Sequence, residues 1–242
     1  MRILAADSWL LRDGATIALD AHRARFLPSV PTELDGAGFW DAAIAALPRD
    51  GAWFPRLELR GIGHPGEERP EFVLRVRPAP ELRETIALAT HDAPDPRREP
   101  TVKGPDLELL TAVRTAAQSR GADDAVLLSA GGAVAETTTA HLAWWRGEAL
   151  VVPDPAIPQL PGVTVGALVS LARAHGVEVR HERATPAELG GAEVWALNTL
   201  HGIRVVTDWH GGPAVAARAG RAGLWRERLA ALRRPLPAAV PA

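Results

Sequence analysis

Lys103 is the single lysine of a 242-residue chain; the other 26 of its 27 Lys plus Arg side chains are arginine. A guanidinium stays protonated and cannot form an imine. A lysine amine that is desolvated, or set beside another cation, can lose its proton and attack a carbonyl. An amine kept at the third residue of T-V-K-G-P-D, in a chain that otherwise uses arginine for charge, therefore points to imine chemistry. The plain alternative is a solvated lysine at a loop end. Other residues have chemistry to add. Glu136 stands between A-V-A and T-T-T, a carboxylate at the end of an extended stretch that could hold a heterocyclic nitrogen protonated, or lie on the surface. P-G-V-T, ending at Val163 and Thr164, precedes a helical pattern. Its backbone N–H groups and hydroxyl could seat a phosphate, or Thr164 could cap the helix. Thr199 in L-N-T-L-H-G-I-R could donate a further hydroxyl, with Asn198 beside it serving the same group or the turn backbone. Arg25 could neutralise a phosphate or be solvated.

The composition excludes several classes. With no cysteine there is no disulfide or thiolate chemistry, and with no tyrosine no catalytic phenol. A formal charge of -2 gives no global case for nucleic acid, and no run of about 18 apolar residues suggests a membrane span. The opening M-R-I-L-A-A-D-S-W has no charged-then-apolar leader, so the expectation is a cytoplasmic protein. No metal site is expected.

These residues need elements to position them. Arg2–Leu11 reads as a strand, Asp13-Gly14 as a turn, and Thr16–Leu19 as its hairpin partner. Asp20 reads as the N-cap of a short helix, and Phe39–Leu47 as a second helix closed by Pro48. Alternation in A-W-F-P-R-L-E-L-R and E-F-V-L-R-V-R predicts antiparallel strands. H-D-A-P-D-P-R-R-E-P offers neither period nor core face, and divides an N-terminal α+β domain (residues 1–92) from the rest by a linker (93–100). The C-terminal domain (101–217) opens with a helix over Leu107–Ser119. Strands follow at 125–128, 133–136, 142–145 and 150–152, then a helix over Val165–His175 and strands at 177–181, 194–197 and 203–206. Residues 218–242 form an Arg-rich tail, helical inside and frayed at its P-L-P-A-A-V-P-A end.

In this order the pieces resemble the fold-type IV (class IV) pyridoxal-phosphate enzymes, the family of branched-chain and D-amino-acid aminotransferases and aminodeoxychorismate lyase. The matching segments are K-G-P-D, A-A-Q-S-R-G-A-D-D-A-V-L-L, G-G-A-V-A-E-T-T-T-A-H-L, L-P-G-V-T and A-E-V-W-A-L-N-T-L-H-G-I-R-V-V. The resemblance implies pyridoxal 5'-phosphate as cofactor, with Lys103 as the Schiff-base lysine and Glu136 as partner of the pyridine nitrogen. It makes Val163, Thr164 and Thr199 phosphate contacts, with Asn198 beside them, and L-D-A-H-R-A-R-F places Arg25 on the phosphate. It implies an α+β fold, a small N-terminal α/β sandwich domain plus a larger barrel-like α/β domain, a small-molecule amine substrate and a homodimer. Nucleic acid and membrane are not expected partners.

The chain departs from the family pattern in places. It opens almost at A-D-S-W-L-L-R-D-G, where relatives run a longer strand first, so part of the substrate wall is expected to be absent. His141 stands where asparagine is usual, and Val165 where arginine often follows. Arg56, Arg75 and Arg77, with His141, are the candidates to meet a substrate. The turn L-N-T-L-H-G-I-R resembles the N-S-L-R-G-I-R of lyase-like members, which tips the reading toward 4-amino-4-deoxychorismate lyase. A class IV aminotransferase is the close alternative, and a degenerate, non-catalytic interaction protein is the alternative of another class.

Overall fold

A computed structural model describes residues 1–64, 68–216 and 219–238. It forms two compact units. The first comprises Met1–Leu82, Val102–Leu107 and Leu232–Ala242; the second comprises Arg83–Thr101 and Glu108–Ala231. This partition differs from the sequence boundary at 93–100, because that stretch belongs wholly to the second unit while the segment holding Lys103 belongs to the first. The architecture is α+β.

In the first unit, strand β1 (Arg2–Ser8) ends where Trp9 turns into the core, and β2 (Leu11–Arg12) and β3 (Ala15–Ile17) follow as a hairpin. The single strand expected over Arg2–Leu11 is thus two. Trp9 is the reason: its indole lies between His22 at 5.1 Å and Trp40 at 5.4 Å, and the chain bends to put it there. Asp13 and Gly14 both take positive φ, 48° and 67°, as a two-residue hairpin turn requires. Helix α1 (Leu19–Phe26) starts from Ala18 in a left-handed conformation, so Asp20 sits inside the first turn rather than capping it. Helix α2 (Gly36–Ala45) is capped by Asp35, whose carboxylate accepts from the Gly38 N–H at 2.8 Å. Strand β4 (Ala52–Trp53) joins β2. Strands β5 (Arg56–Ile62) and β6 (Arg69–Arg75) pair antiparallel as expected, and β1 pairs with β5 on the other side. One face of this sheet packs Leu57 and Leu59 against Trp9, Phe26, Trp40 and Ile44.

The second unit begins with β7 (Thr85–Thr90), a strand unforeseen in the sequence, whose T-I-A-L-A-T is short and lacks a clear period. Helix α3 (Leu107–Gln118) leads to β8 (Asp124–Leu128), β9 (Val134–Thr137), β10 (His141–Arg146) and β11 (Ala149–Pro153). Helix α4 (Val163–Ala174), β12 (Val179–Glu182), β13 (Val194–Asn198), β14 (Gly202–His210) and helix α5 (Ala219–Ala230) follow. The strand order is β12-β11-β10-β13-β14-β7-β8-β9, and β9 pairs back onto β10. Six strands therefore close a ring, with β11 and β12 extending it. Ile86, Leu88, Val126, Val134, Leu142, Trp144, Ala196 and Val206 come from all six and pack together inside. Beyond α5, β15 (Arg233–Pro235) pairs with β3 in the first unit's small sheet. The P-L-P-A-A-V-P-A end, expected to fray, is instead docked where it is described: Pro235 pairs with Ala15, and Leu236 is buried in the first unit's core with its N–H donating to the Gly14 carbonyl at 2.8 Å; residues 239–242 lie outside the described residues.

Candidate functional site

Lys103 is held by its backbone. Its carbonyl accepts the Ala6 N–H at 2.6 Å, which docks the segment along the free edge of β1. Gly104 follows with φ 146°, and a Cβ there would lie 2.8 Å from the Ala5 Cα. Only glycine lets the two backbones approach so closely while taking that conformation. The Gly104→Ala variant is expected to push the segment off β1 and to lower stability by about 1–3 kcal/mol; urea unfolding reads the stability, and cofactor titration reads the displaced amine.

The neighbours of Lys103 in this unit include a buried charge group. Asp7, on β1, is fully buried; its carboxylate meets His22 Nδ1 at 2.8 Å and accepts from Arg25 Nε at 2.9 Å and Arg25 Nη2 at 2.7 Å. Two helix residues three apart thus reach one strand residue, as a helical face allows. Burial raises the Asp7 carboxyl, but hydrogen bonding and charge from His22 and Arg25 outweigh it and bring it down to about 2. His22 is pushed down, first by burial and further by the Arg25 and Lys103 charges, against the pull of Asp7. Arg25 is therefore aimed by a carboxylate behind it. Since the folded Asp7 value lies below the unfolded one, its stabilisation is complete above about pH 4 and lost as pH falls toward 2. Asp7→Asn should cost about 2 kcal/mol at pH 7 and progressively less across that acid window, as urea midpoints measured along a pH series would show.

In the second unit Glu136, 4% exposed, sits on β9 opposite His141 where the barrel closes. Its Oε1 accepts from Arg97 Nη1 and, at 3.1 Å, from the Leu160 N–H. Its Oε2 has the looser contact, 3.4 Å from His141 Nε2, and that nitrogen also lies 2.6 Å from the Leu160 carbonyl. Arg97 is gripped from its other side by Asp95, at 2.9 Å to Nε and 2.6 Å to Nη2. Burial alone would lower the Arg97 guanidinium; the hydrogen bond to Asp95 and the charges of Glu136 and Asp95 raise it instead. A segment that reads as linker thus supplies the counter-ion of Glu136. Its only sequence signal was the D-x-R pair itself.

The His141 ring also presses on Gly162, where a Cβ would come within 2.5 Å of it. Gly162 occupies the N-cap position of α4, so Val163 and Thr164 lie in the first turn. Thr164 is therefore not the cap, and the helix starts two residues before the expected Val165. Both side chains are buried, and the turn presents the N–H groups that a helix start leaves without intrahelical acceptors. Asn198 ends β13, paired with Gly202, and Thr199 opens the turn to β14. Asn198 Oδ1 accepts from the Leu200 and His201 N–H groups at 3.2 and 2.8 Å, and its amide reaches the Thr139 carbonyl at 3.3 Å, which is the turn-closing role. Of the three candidate substrate arginines, Arg56 pairs with buried Glu58, Arg75 stands opposite Arg56 in register, and Arg77 donates to the Phe54 carbonyl at 3.1 Å. Burial and the Arg56 and Arg75 charges push Arg77 down. The structure thus gathers Lys103, Arg25, His22 and Asp7 in one unit, and Glu136, His141, Arg97, Val163, Thr164, Asn198 and Thr199 in the other.

Residues 4–209 match the family model described as amino-transferase class IV, and the chain belongs to that family. Among solved structures it is similar to a hypothetical aminotransferase from Mycobacterium tuberculosis in its alpha-ketoglutarate and PMP bound form. Identity is 23%, the TM-score is 0.79, and 94% of this chain and 88% of that one are covered. It is also similar to an aminotransferase from Brucella abortus bound to PLP, at 20% identity, TM-score 0.78, and 94% and 89% coverage. A candidate 4-amino-4-deoxychorismate lyase from Legionella pneumophila matches at 18% identity, TM-score 0.79, and 93% and 90% coverage. These are likenesses of fold. No curated protein sequence matches the chain. Among the described residues no helix is long and apolar enough to cross a membrane.

Proposed function

We propose that this chain is a pyridoxal-phosphate-dependent aminotransferase acting on amino acids. The carrying observation is the clamped amine: Lys103, the sole lysine, fixed through its own carbonyl and Gly104 onto β1 in a class IV chain. The donor set suits the cofactor, with an amine for its aldehyde, an arginine and a helix start for its phosphate, and a buried carboxylate for its ring nitrogen. Two relatives of the same fold were solved with PLP or PMP.

Bound there, the cofactor would supply an electron sink for charge developing at the substrate Cα. Lys103 would hold it through Nζ and, once displaced by the substrate amine, use Nζ as general base and then acid. In the first unit Arg25, aimed by Asp7, is the proposed phosphate arginine; in the second, the first-turn N–H groups at Val163 and Thr164 and the Thr199 hydroxyl are the proposed phosphate donors. The Glu136 carboxylate, backed by Arg97, would face the pyridine nitrogen and keep its proton in place. A homodimer is part of this reading.

Transfer ranks above elimination because the matching family model is described as amino-transferase class IV and several solved structures of the same fold are aminotransferases. The L-N-T-L-H-G-I-R turn and the Legionella relative keep the lyase as the second reading. Purified protein with added pyridoxal phosphate should develop a visible band that borohydride fixes covalently. It should then move an amino group from one or more amino acids to alpha-ketoglutarate. Pyruvate release from aminodeoxychorismate without any keto-acid acceptor would select the lyase instead, and absence of a covalent adduct would sink both.

A further inference from the structure

We propose that the barrel interior holds a small monovalent anion, a halide such as chloride, on the guanidinium of Arg204. Arg204 lies on β14 opposite Ala196 of β13, and Ala196 lies opposite Leu142 of β10. Directly opposed residues share a face of the sheet, and Ala196 and Leu142 belong to the cluster inside the ring. Leu88, in the same cluster, stands opposite Asp124 of β8, which brings that carboxylate to the interior too. His141 is paired with Leu197 and Glu136, one residue out of step with Leu142 and Ala196, so the Glu136 group occupies the other face. The two groups are on opposite sides of the same strands.

Arg204 is 3% exposed, and its Nε and Nη2 have no hydrogen-bond partner among the described residues. The obvious counter-ion is already engaged. Asp124 accepts from the Ala125 N–H at 2.8 Å, from Thr137 Oγ1 at 2.8 Å, from Thr139 Oγ1 at 2.5 Å, and from Thr138 Oγ1. Three consecutive threonines therefore close around Asp124, and no salt bridge joins it to Arg204. The other charges felt by Arg204 are Asp123, Arg114 and Arg83. Arg83 Nη1 meets Asp123 at 3.2 Å, and Arg114 Nε donates to the Asp123 carbonyl at 3.2 Å. His201, pushed down to about 4 by burial and by Arg204, Arg83 and Arg114, is neutral at pH 7. The Arg83 and Asp123 side chains are 63% and 37% exposed, so solvent screens them, and the interior charge whose Nε and Nη2 have no hydrogen-bond partner among the described residues is the Arg204 guanidinium. A monovalent anion accepts from both orphan donors and cancels that charge, whereas water does only the first.

Crystals of the wild-type protein grown in bromide, with and without pyridoxal phosphate, test this by anomalous scattering. A bromide peak in hydrogen-bond range of Arg204 Nε and Nη2, in both crystals, is the expected result. In solution, chloride or bromide should raise the melting temperature above that in gluconate at equal ionic strength, and Arg204→Met should lose the difference. Water alone at those donors overturns the proposal, as does bromide bound only elsewhere as an adventitious ion. Phosphorus density at Arg204 in the loaded crystal also overturns it, because the donors would then belong to the cofactor. The wild-type map decides even if the variant fails to fold.

Discussion

Lys103→Ala is expected to abolish the visible band that borohydride fixes and to lower turnover by at least about 10,000-fold, since the only lysine amine is gone. Its fold should survive. The clamp onto β1 is made by the Lys103 carbonyl and by Gly104, neither of which the substitution touches. Circular dichroism and the urea midpoint should therefore stay near wild type while the spectrum changes completely. Lys103→Arg sharpens the test, because it keeps the positive charge beside His22 but cannot condense with an aldehyde. If Lys103→Arg retains a covalent adduct, another nucleophile carries it and the proposed role of Lys103 fails.

Glu136→Ala should have the second largest effect, in two parts. Turnover should fall by about a hundredfold or more, because the carboxylate proposed to keep the proton on the pyridine nitrogen is gone. Stability should fall as well, by about 3 kcal/mol, since the buried Arg97 guanidinium would lose one of its two carboxylate partners, keeping Asp95 and the Pro158 carbonyl, and Leu160 would lose its acceptor. Glu136→Gln separates the parts. Its amide oxygen can still accept from Leu160, so it should recover some of the stability and little of the rate. A Glu136→Gln enzyme with wild-type turnover would show that the carboxylate serves the fold alone.

The sites of these variants differ in how readable they were. Lys103 was evident from composition, because uniqueness among arginines is a property of the chain and needs no geometry. Glu136, Val163, Thr164 and Thr199 were named through segments contiguous in sequence, each a strand end or helix start whose local chemistry is set by neighbours a few residues away. Asp7 and Arg97 were not read. The first is one polar residue in a buried strand, and its value depends on His22 and Arg25 arriving from α1. The second lay in a proline-rich stretch without periodicity, and its meaning comes from Glu136, a residue 39 positions away.

The amino-acid sequence by itself determined the α+β class, the antiparallel strands within A-W-F-P-R-L-E-L-R and E-F-V-L-R-V-R, the helix before Asp124 and the family to which the chain belongs. Those features rest on alternation, helical spacing and contiguous motifs, all local quantities. Tertiary structure alone decided that Arg2–Leu11 breaks at Trp9, whose indole needs a place between His22 and Trp40. It also decided that Thr85–Thr90 completes the barrel between β14 and β8, and that β15 returns to β3 in the first unit. Which strands pair is decided by backbone hydrogen bonds between residues far apart in the chain, and alternation along one strand marks its faces without naming a distant partner.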